Sequence, residues 1–148
     1  MSANQTTCPF CDYENISSQI VWETEKSLVI VPHWPRCKGH LLVIPKVHTP
    51  NIINLPDEYL VDMFNQIRKA EDLLEKAYQA KDFNILTNQG KLAMQSVFHL
   101  HFHVLPRIKK ETFDPLRLMG EDLKLKKQSV IFSVKDTLKK VIDEEIRS

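Results

Sequence analysis

The segment Val97–Leu105, VFHLHFHVL, constrains the fold more than any other part of the chain, because apolar residues and histidines alternate along it. A period of two belongs to a β-strand, in which side chains two apart share a face. On such a strand His99, His101 and His103 point one way, while Leu100, Phe102 and Val104 point the other. The apolar side must be covered, which calls for a sheet with a layer packed on it. Neighbouring imidazoles would lie roughly 6.6 Å apart and the outer two about twice that, from a rise of about 3.3 Å per residue. That spacing argues against a single ion holding all three, although a His-x-His pair can share a zinc. Three of the six histidines fall within five positions, too dense a cluster for scattered structural roles.

The rest of the chain supplies such a sheet and its cover. Gln19–Thr24 and Ser27–Val31 read as two short strands around Glu25 and Lys26, a plausible hairpin. Pro32 and Pro35 interrupt the pattern, and HLLVIP, His40–Pro45, follows as an apolar run of the length of a buried central strand. From Pro56 the period changes: Leu60, Phe64, Ile67 and Leu74 recur at helical spacing as far as about Ala80. FNILTNQG, Phe83–Gly90, reads as a strand ending in a turn. Val130, Ile131, Val134, Leu138, Val141 and Ile142 form the stripe of a last helix, opposite a solvated face of lysines and glutamates. Between them residues 108–128 are charged and weakly patterned, either an ordered excursion or a mobile connection. The expected class is α+β: an antiparallel sheet of about five strands with one long covering helix and an extra C-terminal helix.

With 148 residues the chain is expected to form one domain, 1–148, with a core at about 8–107 and a C-terminal extension at 108–148. Basic residues outnumber acidic ones by one, so bulk charge points to neither a nucleic-acid polymer nor a membrane as partner. No apolar run approaches the roughly 20 residues of a membrane helix, and MSANQTTCPF lacks the layout of a secretory signal. A cytoplasmic location is expected, where Cys8, Cys11 and Cys37 stay as thiols. Cys8-Pro9-Phe10-Cys11 is a Cys-x-x-Cys knuckle, which alone is open to three readings: a redox pair, two unrelated thiols, or half of a zinc site.

MQSVFHLHFHVLPR resembles the signature of the histidine triad (HIT) superfamily, His-apolar-His-apolar-His-apolar-apolar, matched in full by His99–Leu105. GHLLVIPKVH, Gly39–His48, is similar to that superfamily's strand and Ile-Pro-Lys-x-His stretch, and NQG and QSV precede the histidines as in its members. The resemblance covers about Cys8–Arg107. It implies a nucleotidyl hydrolase or transferase, Hint-like, acting on a nucleoside phosphoramidate or a dinucleoside polyphosphate. By matching positions, His101 is the nucleophile, which a neutral imidazole of ordinary pKa about 6.5 can be at physiological pH. Its second ring nitrogen should donate to a backbone carbonyl, fixing the tautomer. His103 and Ser96 would hold the charge on phosphorus, His40 would support the site from behind, and Asn88, Gln95, His33 and Phe10 would touch the nucleotide. Zinc-containing members of bacterial type tie such a knuckle to the histidine strand. The resemblance therefore implies a structural zinc on Cys8, Cys11, His48 and His99, a closed Cys2His2 set. A homodimer is the superfamily's habit, and Cys37 is expected to be a plain small side chain.

Two positions depart from the pattern. Pro32 stands where the superfamily offers an aspartate or asparagine to the ribose hydroxyls, and proline cannot accept those bonds. Met94 stands where glycine is common before Gln95-Ser96. These departures motivate an alternative, a nucleotide-binding regulatory module with little turnover. A third reading, one catalytic metal on His99 and His101, conflicts with a closed Cys2His2 site.

Overall fold

The computed structural model of the chain describes residues 8–108 and 128–148, so most of the weakly patterned 108–128 segment lies outside the described residues. Its centre is a five-stranded, wholly antiparallel sheet in the order β1-β2-β3-β5-β4. The strands are β1 (Ile20–Glu23), β2 (Ser27–Ile30), β3 (Leu41–Pro45), β4 (Asp82–Leu86) and β5 (Phe102–Arg107). Among the described residues three α-helices accompany them: α1 (Tyr13–Ile16), α2 (Asp57–Tyr78) and α3 (Gln128–Arg147). Among the described residues no helix is long and apolar enough to cross a membrane.

Alternation sorts the central strands onto two faces. Val29, Leu41, Val43, Phe102 and Val104 face α2, meeting Met63, Ile67, Ala70, Leu73 and Leu74. The opposite set, Leu28, Ile30, Leu42 and Ile44, packs against Ile16 of α1 and the half-buried Phe10 and Ile20. Burial on both faces is why β2 and β3 read as unbroken apolar runs. Val134 and Leu138 of α3 enter the α2 side of the core, so this helix is part of it and not an appendage. Each fully buried leucine or valine of this kind contributes about 1.5–3 kcal/mol by leaving water.

The histidine segment differs from the expected nine-residue strand. The ladder begins only at Phe102, because the backbone before it bonds to loops. Leu100 N–H donates to Thr49 O at 2.6 Å, and His101 O accepts from the Thr87 hydroxyl at 2.8 Å. Alternation nevertheless persists: Leu100, Phe102 and Val104 lie in the main core, away from the imidazoles. The loop entering β3 passes close to β5 at Gly39, which has φ +85°. A Cβ there would stand 2.9 Å from Pro106 Cγ, so only glycine permits the approach that sets His40 beside β5. α1 is too short for a periodic signal and is held by Asp12, whose carboxylate caps it by accepting from Asn15 N–H at 3.2 Å.

Candidate active site

On the sheet face opposite α2, a cavity of about 250 Å³ opens between the N-terminal segment, the 32–36 loop and the histidine segment. His101 and His103 line its floor with His40, and Phe10, His33 and Ser96 stand around them. Pro32 also lines it. The Phe10 ring meets His101 edge-on, with centroids 5.2 Å apart.

The protonation of the three histidines follows from their partners. His101 Nδ1 lies 2.8 Å from His99 O, and since a carbonyl only accepts, Nδ1 carries the proton and Nε2 keeps a free lone pair. Arg36 N–H donates to His40 Nδ1 at 3.0 Å, so His40, when neutral, carries its proton on Nε2. That Nε2 is 3.0 Å from His103 Nδ1 and donates to it, which leaves His103 Nε2–H as a donor. Burial keeps this chain neutral. Desolvation, reinforced by His103 and Arg36, holds His40 well below the usual histidine range. Desolvation with the charges of His101 and Arg36 lowers His103 to about 3. His101 is lowered by desolvation too, partly offset by its bond to His99 O. The site therefore presents one basic nitrogen and one N–H donor, both uncharged.

Not every sequence-predicted residue reaches the cavity. Gln95 is buried and spent on the backbone: its Oε1 accepts from Gly90 N–H at 2.7 Å and its Nε2 donates to Pro50 O at 2.9 Å. It fixes the turn before Ser96 and does not line the cavity. Asn88, half-buried in the loop after β4, does not line the cavity either. Met94 has φ 65°, the left-handed conformation that glycine adopts freely, which is a physical reason for glycine to be common there. Sequence reasoning passed over Arg36, Trp34 and Gln19, which also line the cavity. Their signal was a tryptophan and an arginine flanking a proline in PHWPRC, ahead of an apolar strand.

Beside the cavity, one ligand atom from each of Cys8, Cys11, His48 and His99 falls within 4.8 Å of all the others. His48 Nδ1 and His99 Nδ1 are 3.1 Å apart, Cys11 Sγ is 3.2 Å from His48 Nδ1, and Cys8 Sγ is 3.4 Å from His99 Nδ1. A tetrahedral zinc with bonds of about 2.0–2.3 Å sets its donors roughly 3.3–3.8 Å apart, so the set fits one. His99 Nε2–H donates to Pro45 O at 2.7 Å, which turns the Nδ1 lone pair into the cluster and supports the ring as metal-bound histidines require. Desolvation and Cys8 push the Cys11 thiol up to about 11, so ionising it calls for a cation. His99 thus faces the cluster while His101 Nε2 is free on the cavity side, which disfavours one metal shared by the two.

The sequence pattern of the HIT domain matches residues 13–110. The chain belongs to the HIT family. Among HIT relatives, the adenosine 5'-monophosphoramidase of Saccharomyces cerevisiae is 37% identical over 112 residues, covering 72% of this chain and 68% of that protein. A histidine triad nucleotide-binding protein from Sulfolobus tokodaii superposes with a TM-score of 0.75 at 26% identity, covering 93% of each chain. A zinc-bound histidine triad family protein from Mycobacterium smegmatis superposes with a TM-score of 0.68 at 26% identity, covering 93% of this chain and 97% of that one. The α+β HIT fold expected from the sequence is the fold observed.

Proposed function

We propose that the chain is a nucleotidyl hydrolase that cleaves a nucleoside phosphoramidate or a dinucleoside polyphosphate through a covalent nucleotidyl-histidine on His101. The observation that carries this is the His101 ring, with Nδ1–H held by His99 O and Nε2 bare at the cavity. In the first step Nε2 attacks the α-phosphorus, and the bond from phosphorus to the leaving group breaks with its electron pair, a phosphate departing as the anion and an amine taking up a proton from solvent as it leaves. In the second, water attacks the same phosphorus, the N–P bond breaks, and one proton is released. His103 Nε2–H and the Ser96 hydroxyl would hold the oxygens on which charge develops. The relative named for monophosphoramidase activity supports the substrate class.

Cys8, Cys11, His48 and His99 would hold a structural zinc, which supplies cross-linking of the N-terminal segment to the site and no open coordination position. We further take residues 1–148 as one domain in the cytoplasm, where Cys8, Cys11 and Cys37 stay reduced. It would act as a homodimer through exposed Val61 and Phe64 of α2 and Ile85 of the edge strand β4; a one-chain mass in sedimentation would remove that last element.

The deciding experiment compares wild type with His101→Ala on fluorogenic nucleoside phosphoramidates and dinucleoside polyphosphates, with mass detection of the adduct. Loss of turnover on the order of 10³-fold or more, with loss of the adduct, is expected. Full activity in the variant would remove His101 from the mechanism, and wild type that binds nucleotide without turnover would favour a regulatory binding module.

A further inference from the structure

Gln19, the residue before β1, lines the same cavity as His101 and His103 and is only 6% exposed. Val31 of the neighbouring strand end holds it twice. The Gln19 backbone carbonyl accepts from Val31 N–H at 3.0 Å, and its Nε2 donates to Val31 O at 3.0 Å. A carbonyl only accepts, so the amide nitrogen is the end tied to the sheet and Oε1 is the end left over. Among the described residues no donor reaches that oxygen, and an amide this buried with a bare acceptor calls for a reason. The strand register supplies one. Ile20 pairs with Ile30, Ile30 with Leu42 and Leu42 with His103, so a line across the cavity face runs from the histidines to the start of β1. It crosses three strand spacings, about 14 Å at about 4.8 Å each. Leu42 and Ile30 are apolar, so along this line Gln19 is the first polar side chain after His103. In a nucleotide the sugar follows the phosphate, and its hydroxyls need acceptors. The base lies beyond, apolar on both faces, and suits Phe10, Pro32 and Val97.

We infer that Gln19 is a specificity residue that reads the sugar of the nucleotide, its Oε1 accepting a hydrogen bond from a ribose hydroxyl. The inference rests on the nucleotidyl-transfer reading and adds which part of the substrate is recognised on the β1 side. Pro32, next to Val31, has neither a side-chain acceptor nor an N–H, so the glutamine supplies from β1 what that position does not. The bond to Val31 O keeps the amide from turning over, so its oxygen is set before the nucleotide arrives and little ordering is needed on binding. A substrate without the hydroxyl leaves Oε1 without a donor, which is how a buried polar group rejects an analogue that lacks its partner.

The test measures kcat/KM of wild type and Gln19→Met, similar in length but without an acceptor, on a fluorogenic adenosine phosphoramidate, its 2'-deoxy and 3'-deoxy counterparts, and the inosine equivalent. Wild type is expected to lose on the order of tenfold or more when one of the two hydroxyls is absent. In Q19M that preference should vanish, because activity falls on the ribonucleotide and not on that deoxynucleotide. A general disturbance of the sheet would lower all substrates alike and keep the wild-type ratios; that result, or a wild type indifferent to both hydroxyls, overturns the assignment. So does a Q19M effect confined to the adenosine-to-inosine ratio, which would make Gln19 a reader of the base. A measurement on wild type alone covers a variant that fails to fold: fluorine in place of the hydroxyl cannot donate, so it should cost as much as hydrogen, and a fluoro substrate handled like the ribonucleotide rejects the bond. His101→Ala run in parallel tests the underlying mechanism separately, since it should silence every substrate alike. If wild type turns over none of them, calorimetric titration with AMP and its 2'-deoxy and 3'-deoxy forms decides the point: a preference for AMP that Q19M loses upholds the reading, and one that is absent or kept rejects it.

Discussion

At His101 the chemistry depends on which ring nitrogen holds the proton, and two neighbours decide that for His101, His40 and His103. Since His40 Nε2–H is what keeps His103 Nδ1 an acceptor, His40→Ala should free the His103 ring to swap tautomers. We expect kcat to fall on the order of 10- to 100-fold, the scale on which removing an orienting partner acts, with KM changed far less. Steady-state kinetics against wild type check this, and an unaltered kcat would reject the orienting role. Much at this scale was legible beforehand: the alternation named His99, His101 and His103, and the Cys-x-x-Cys spacing named a thiol pair. The partners of Gln95 were not legible, because a polar residue beside a motif looks the same in sequence whatever its amide meets, and here it holds Gly90 N–H and Pro50 O. Arg36 went unremarked because nothing in the order of residues tells that its loop folds back over β5.

Among the elements, the apolar patterns of β1, β2, β3 and α2 gave their positions closely, since each buries a face whose period the sequence must keep. β5 started later than its pattern implied, because alternation records side-chain facing and says nothing of where backbone N–H groups find partners. The role of α3 needed tertiary structure: its stripe is plain, but only the fold shows Val134 and Leu138 completing the core against α2 and β1. Leu138 is fully buried, so Leu138→Ala should cost about 2–5 kcal/mol by lost transfer energy and the cavity left behind, measured by urea unfolding. A loss below 0.5 kcal/mol would mean that α3 is docked only loosely. The N-terminal segment has a different anchor. Cys8→Ser and Cys11→Ser should each lose bound zinc in metal analysis and melt at a lower temperature, while retained stoichiometric zinc in both would reject the knuckle as a ligand pair.

For the molecule as a whole, burying neutral histidines makes stability depend on pH. The folded His103 titrates at about 3 and the unfolded one near 6.5, so between those values the unfolded chain holds a proton that the folded one refuses. Stability from this group is complete above about pH 6.5 and drains away as the pH falls toward 3. By pH 5 the loss is about 2 kcal/mol, from about 1.4 kcal/mol per unit. Urea unfolding at pH 7 and pH 5 should show it, and His103→Gln should flatten the slope; an equal slope in that variant would assign the acid sensitivity elsewhere. The partners that fix the outer two protons have another consequence. His99 O orients His101, and Arg36 N–H orients His40, and both belong to the main chain. Every amino acid carries that carbonyl, and every one but proline carries that N–H. Random change in the gene can therefore replace either neighbouring side chain without deleting the partner itself, so the arrangement of protons outlasts substitution at position 36 or 99.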